Sequence, residues 1–283
     1  MAKFSELQTI MVDDKKVTYL PDGDSYLVPT AMYPTSKPEE WQQYAGYLDD
    51  KQQVLLSLGG FLIESGDRKL LVDLGYGPLD TTVPRVGRLI GGRMLESLEK
   101  CGVKPEEITD VIFTHCHLEH VGWTSHDVNG TRELTFPNAV HMSSREEWEY
   151  WQDDNSGLGP DKVREREPLA GRMKFVKEGD EIIPGLRVIE AFGHTPGMIN
   201  LMLTGSGKRV YFISDLLHSD MQFQQAEWSF IFDVDKKTAR KQRETAYTEM
   251  TQPGTIIADG HFVNHAFGTV QRLGDKLQWS YLK

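Results

Sequence analysis

Short apolar runs bounded by glycine, proline and acidic residues dominate the chain. Lys16 to Leu20 reads as a strand, and Pro38 to Leu48 as a short helix opened by proline. Val54 to Glu64 and Lys69 to Leu74 are apolar and flank Ser65-Gly-Asp-Arg68, which predicts two strands joined by a tight turn. In Arg93 to Cys101 the apolar side chains fall at 94, 95 and 98, a helical spacing that Gly102 ends. Pro105-Glu-Glu-Ile108 then leads into a strand over Asp110 to Thr114. A turn at Asn129-Gly130, a strand over Ala139 to Met142 and a helix from Arg145 to about Trp151 follow. The polar stretch from there to Pro168 is a candidate lid or specificity loop.

Past Lys174 the pattern becomes repeated short β runs: Lys174 to Val176, Leu186 to Ala191, Ile199 to Leu203 and Val210 to Ile213, separated by glycine-bearing turns. Lys236 to Met250 predicts a helix, Thr255 to Ala258 a strand, and Val270 to Leu282 a hairpin around Gly274-Asp275. Each half supplies strands followed by helices, so the expectation is an α/β chain with two sheets packed face to face and helices outside. No linker divides it, which predicts one domain over 1–283, with 1–53 as an N-terminal extension packed on it.

Composition changes this picture mainly by exclusion. With 39% hydrophobic and 26% charged residues the chain can bury a substantial core, and its net charge of −11 repels a phosphate backbone. Nucleic acid is therefore excluded as a partner. No run reaches the ~20 apolar residues of a membrane helix, and Met-Ala-Lys-Phe-Ser-Glu-Leu-Gln lacks a signal-peptide pattern, so a cytoplasmic location and no membrane partner are expected. Only Cys101 and Cys116 are present, too few for a disulfide framework.

The candidate chemistry lies in Thr114-His-Cys-His-Leu-Glu-His120, which holds three of the nine histidines and a carboxylate just past a predicted strand. Successive side chains of an extended segment point to opposite sides, so His115 and His117 can reach one metal while Cys116 points away. If a helix begins near Leu118, Glu119 and His120 turn towards a second position. Imidazole and carboxylate suit zinc or a related divalent ion. A solvated histidine-rich loop is the alternative. Three later stretches share one layout, an apolar strand ending in a potential ligand: Val188 to His194, Val210 to Asp215 and Thr255 to His261. Each alone reads as a polar strand end; strand ends converging on one edge would build a single site.

Asp73 in Leu-Val-Asp-Leu-Gly, the histidine cluster, His194, Asp215 and His261 together resemble the metallo-β-lactamase superfamily, from about Val54 to the end of the chain. The resemblance implies an α/β four-layer αββα sandwich with the metals at one edge of the sheets. It implies two divalent ions, zinc in the first place with manganese, cobalt or iron as alternatives. His115, His117 and His194 would hold one, and Glu119, His120 and His261 the other, with Asp215 as bridge. Asp73 would orient a ligand histidine. One position departs from the family's His-x-His-x-Asp-His: the fifth residue here is Glu119, one methylene longer, which puts the second metal in a different position or makes Glu119 mainly a proton shuttle.

His120-Val-Gly-Trp123, Phe136-Pro-Asn-Ala, Glu147-Trp-Glu-Tyr-Trp151, Gly193-His-Thr-Pro-Gly197 and Ser214-Asp-Leu-Leu-His218 resemble the branch with quorum-quenching lactonases and methyl parathion hydrolase. His218 falls where related lactonases place a tyrosine that stabilises the oxyanion; the alternative is a surface histidine or one that merely supports a ligand. The implied activity is metal-dependent hydrolysis, in which a metal-bound hydroxide opens a lactone or cleaves a carboxylic ester of a small molecule, with Asp215, Glu119 and His218 as the catalytic residues. Phosphotriester, thioester and β-lactam cleavage use the same ligand set. A sulfur dioxygenase-like iron oxidoreductase and a non-catalytic binding protein are the readings from other classes, and a homodimer is compatible with all of them.

Overall fold

The computed structural model describes residues 2–154 and 156–282. Two mixed β-sheets lie face to face. The first has nine strands, in the order Lys174–Val176, Val140–Ser144, Asp110–Ile112, Arg68–Val72, Val54–Ser65, Lys15–Leu27, Gly87–Ile90 and Asp80–Val83, with Gln8–Val12 also paired to Lys15–Leu27. The second has seven: Glu181–Ile183, Leu186–Glu190, Ile199–Thr204, Arg209–Phe212, Thr255–Ala258, Phe267–Leu273 and Lys276–Tyr281.

Side-chain alternation along the strands decides what lies between the sheets and what lies outside them. Tyr19, Phe61, Ile63, Leu70, Val72 and Ile112 of the first sheet meet Val188, Ile199, Leu201, Leu203, Val210 and Phe212 of the second in one buried cluster. The intervening Leu20, Leu62, Leu71 and Val111 point the other way. They pack with Met94, Leu98 and Trp148 of the helices Met94–Lys100 and Arg145–Tyr150. On the outer face of the second sheet, Met202, Tyr211 and Ile257 pack with Ala246, Tyr247 and Met250 of the helix Lys236–Met250. Helix, sheet, sheet, helix is the expected αββα sandwich.

Several local features go beyond the expected elements. The strand expected over Lys16 to Leu20 runs on through Pro21-Asp-Gly-Asp24 to Leu27, with a register shift between Pro21 and Gly23. Asp22 sits there with its side chain buried, accepting the backbone N–H groups of Tyr76, Gly77, Gly92 and Met94 and the indole N–H of Trp123. The paired strands Asp80–Val83 and Gly87–Ile90 are largely exposed, so they carry no alternating apolar signal. The polar stretch before Pro168 contains a π-helical turn, Lys162–Arg166, capped by the Asp161 carboxylate. Pro38–Tyr47 is a 3₁₀-helix whose Trp41 and Tyr44 join Tyr33, Trp228 and Phe230 in a separate aromatic cluster. Among the described residues no helix is long and apolar enough to cross a membrane.

Candidate metal centre

The strand Asp110–Ile112 ends two residues before Thr114, whose backbone is gripped from both sides: its N–H donates to Asp73 and its carbonyl accepts from Ile199. That grip sets His115 and His117 at the edge of the sandwich. A single helical turn, Leu118–Val121, begins immediately after His117 and swings Glu119 and His120 to the neighbouring position. His194 arrives from the second sheet on a turn closed by Gly193, whose φ is 127° and where a Cβ would lie 2.3 Å from the backbone nitrogen of Ala239. Glycine is required there because the start of the helix Lys236–Met250 docks on that turn: Asp235 N–H donates to Gly193 and Val234 N–H to His194. Asp215 follows the strand Arg209–Phe212, and His261 follows Thr255–Ala258 with its N–H held by Asp259.

All seven side chains meet at one place, forming two overlapping groups: His115, His117, His194 and Asp215, and Glu119, His120, Asp215 and His261. Within each group the donor atoms lie within 4.8 Å of one another. His117 Nδ1 is 3.1 Å from His115 Nε2 and 2.9 Å from His194 Nε2. Asp215 divides its two oxygens: Oδ2 is 3.3 Å from His194 Nε2 and 3.6 Å from His115 Nε2, whereas Oδ1 is 3.1 Å from both His120 Nε2 and His261 Nε2. Glu119 is half-buried and the other six are buried.

These residues fit divalent cations on the chemistry of the donor set. Imidazole nitrogens converge at hydrogen-bond distance, and facing nitrogens can share at most one proton between them. Around the buried Asp215 the Nε2 atoms of His115, His120, His194 and His261 all lie within 3.6 Å of one or the other oxygen, a convergence of lone pairs that suits a cation. The outer nitrogens are spoken for: His120 Nδ1 lies 2.9 Å from Asp73 Oδ2, His194 Nδ1 2.9 Å from Asp233 Oδ1, and His261 Nδ1 3.0 Å from the Ser57 carbonyl. A carboxylate or carbonyl only accepts, so each of those Nδ1 atoms carries the proton and Nε2 is left as a lone-pair donor.

Electrostatics agrees. Burial, with repulsion from neighbouring histidines, holds His115 and His117 well below the usual imidazole range. Burial opposes charge on Asp215 too, but the surrounding imidazoles outweigh it and hold the carboxyl well below its ordinary value. The carboxylate in turn overcomes burial at His261 and raises it to about 9. Without a metal, protons on His120 and His261 balance Asp215; a cation would replace them.

His218 belongs to neither group, but its Nε2 is 3.1 Å from Asp215 Oδ2. Its ring stacks on Phe230 at 3.5 Å, and burial pushes it down to about 4. Cys116 points away into the apolar cluster under Trp148 and Trp151. His126, His141 and His265 lie apart from both groups; His141 is buried against Phe113, and burial pushes it down to about 4.

Two buried carboxylates to which sequence reasoning gave no role support the centre. Asp233 holds His194. Glu147 accepts from the backbone N–H of Cys116 at 2.9 Å and of Gly197 at 3.0 Å, and from the Trp151 indole at 2.6 Å. No local pattern gave either its role, because apart from Trp151 and the Phe230 N–H their partners lie 31 to 50 positions away in the chain.

The match to known proteins follows the same residues. The Lactamase_B model, described as the metallo-beta-lactamase superfamily, matches residues 60–260. The chain belongs to that superfamily. An N-acyl homoserine lactonase from a Bacillus species is 25% identical over 205 residues, covering 67% of this chain and 70% of that protein. Metallo-beta-lactamase domain-containing protein 1 of Xenopus laevis is 30% identical over 151 residues, and the chain spans about half of its length, 53%. Among solved structures, AidC, a dizinc quorum-quenching lactonase, superposes with a TM-score of 0.83 at 19% identity over 99% of each chain. The hydrolase AbOPH of the beta lactamase superfamily does so with 0.83 at 26% identity, also over 99% of each.

Proposed function

We propose that the chain is a binuclear metal-dependent hydrolase that opens a lactone ring or cleaves a carboxylic ester. The observation that carries the proposal is the division of Asp215: one carboxylate, fully buried, gives one oxygen to each of two histidine groups. His115, His117 and His194 would hold one ion, Glu119, His120 and His261 the other, with Asp215 between them. When bound, such a pair, zinc in the first instance, supplies Lewis acidity and lowers the pKa of water to ~7.

The remaining work falls to the chain's own side chains. Burial of the ligands keeps bulk water away, so charges at the centre act at low effective dielectric. His218, neutral and stacked on Phe230, holds its Nε2 beside Asp215, where it can donate to an oxygen that gains negative charge. Glu119 is more accessible than the other ligands and is placed to take up a proton and return it to the leaving oxygen. Trp151, Phe230 and Phe232 bring apolar rings to His117, His194 and His218, which suits an acyl or other apolar portion of a small substrate. The Bacillus relative named as an N-acyl homoserine lactonase favours the lactone over other acyl substrates.

The test is a panel of acyl-homoserine lactones, aryl esters, phosphotriesters and β-lactams assayed on protein of measured metal content. The lactones and esters should give the highest kcat/KM. No turnover of any lactone or ester, with phosphotriesters or β-lactams as good substrates, would replace this reading.

A further inference from the structure

Resting on the metal-centre reading above, we propose that Glu147 and Trp151 together are positioning residues for His117, replacing a hydrogen bond that this ring lacks. Four of the five clustered histidines are oriented through the nitrogen that faces away from the centre. His120 has Asp73, His194 has Asp233, His261 has the Ser57 carbonyl, and His115 Nδ1 lies 3.3 Å from both the Thr114 and Ser214 hydroxyls. His117 differs. Its Nδ1 faces His115 and His194, and its buried Nε2 has no hydrogen-bond partner among the described residues.

The Trp151 ring packs on His117 instead, edge to face with the imidazole at a centroid distance of 5.2 Å. A ring contact restrains tilt but has no directional bond, so it is only as precise as the placement of the tryptophan. Glu147 supplies that precision. The indole N–H donates to its Oε1 at 2.6 Å, and the same oxygen accepts the backbone N–H of Cys116, the residue between His115 and His117. One carboxylate oxygen thus sets both the backbone that carries His117 and the ring that packs against it.

The second oxygen extends the restraint to the other sheet. Glu147 Oε2 accepts the N–H of Gly197, three residues after His194. The approach at Gly197 leaves no slack: a Cβ there would lie 2.1 Å from the Glu147 nitrogen. Burial raises the Glu147 carboxyl, and the donated hydrogen bonds work against that rise. Every neighbour donates, so an amide could not replace the carboxylate without setting its own N–H against another donor.

The experiment compares the full chain with Glu147→Gln, Trp151→Phe and Trp151→Ala, each stripped and then titrated with zinc against a chromophoric chelator. Thermal unfolding of each stripped protein is recorded alongside. Glu147→Gln should weaken one zinc equivalent by ~10 to 100-fold, the range for a lost outer partner of a ligand, and that equivalent should be the one that persists in Glu119→Ala protein. Trp151→Phe keeps a ring against His117 and should weaken it less than Trp151→Ala; this pair carries the test if Glu147→Gln does not fold. Both equivalents binding as tightly in Glu147→Gln as in the unsubstituted chain would overturn the proposal. So would equal weakening of both equivalents in step with lost stability of the stripped protein, the mark of a staple that merely holds the fold. An unsubstituted chain that binds no zinc would sink the metal-centre reading itself, visibly so because no variant is involved.

Discussion

Asp233 Oδ1 lies 2.9 Å from His194 Nδ1, and the other oxygen of the same carboxylate accepts the Phe230 N–H at 3.0 Å. One buried side chain therefore fixes a candidate ligand and the ring on which His218 stacks. Burial opposes its ionisation, yet the bond to His194 holds the carboxyl below its ordinary value. Asp233→Ala should cost ~10 to 100-fold in zinc affinity, measured by chelator competition, and should lower kcat as well because the Phe230 anchor is lost with it.

Glu119 is the acidic member of the second group that Asp215 does not supply. Glu119→Ala should reduce bound metal from two equivalents towards one, read by elemental analysis after gel filtration. Glu119→Asp, which restores the spacing usual in the superfamily, should keep both. A chain that holds two equivalents after Glu119→Ala would remove Glu119 from the ligand set.

His218 contributes nitrogen chemistry and a stacked ring, and the two are separable. His218→Phe preserves the stack on Phe230 and should leave metal content unchanged while lowering kcat by ~100-fold, the scale for a lost oxyanion donor. A fall in metal content instead would show that it acts as a ligand.

Glu165 offers a test of electrostatics away from the centre. Burial raises its carboxyl from 4.5 to about 7, and Oε1 has no hydrogen-bond partner among the described residues, although Arg164 lies 3.7 Å away. Below pH 4.5 the group is neutral whether the chain is folded or not. Between there and about 7 the unfolded chain ionises first, so the native state loses stability as pH rises; above 7 the penalty is constant. Glu165→Gln should therefore be more stable than the unsubstituted chain at pH 8, by at most ~3 kcal/mol, with the gain vanishing near pH 4.5. Urea unfolding at the two pH values checks this; a gain independent of pH would contradict it.

Much of this architecture was visible along the chain because strands and helices announce themselves by local period. The helix Lys236–Met250 and the strands Lys174–Val176 and Thr255–Ala258 have the bounds that the apolar pattern predicts. The clustered histidines and Asp215 were visible for a related reason: each terminates an apolar run. Asp22 and Asp233 were not, and Glu147 was visible only within Glu147-Trp-Glu-Tyr-Trp151, without its role. They act on partners brought near only by the completed sandwich, such as the Trp123 indole 101 positions from Asp22, and a lone acidic residue beside an aromatic one has no distinguishing period. The extension of the strand Lys15–Leu27 beyond Leu20 was not legible either, because Pro21-Asp-Gly-Asp24 has no apolar alternation and is held by buried N–H groups that donate to Asp22.

Side chains from the ends of both sheets would hold a pair of divalent cations on which hydrolysis depends. A zinc titration of stripped protein, following bound metal and acyl-homoserine lactone turnover in the same samples, decides this. No turnover is expected without metal, with a rise to full activity as two equivalents bind; full turnover by protein that remains metal-free would rule the metal centre out.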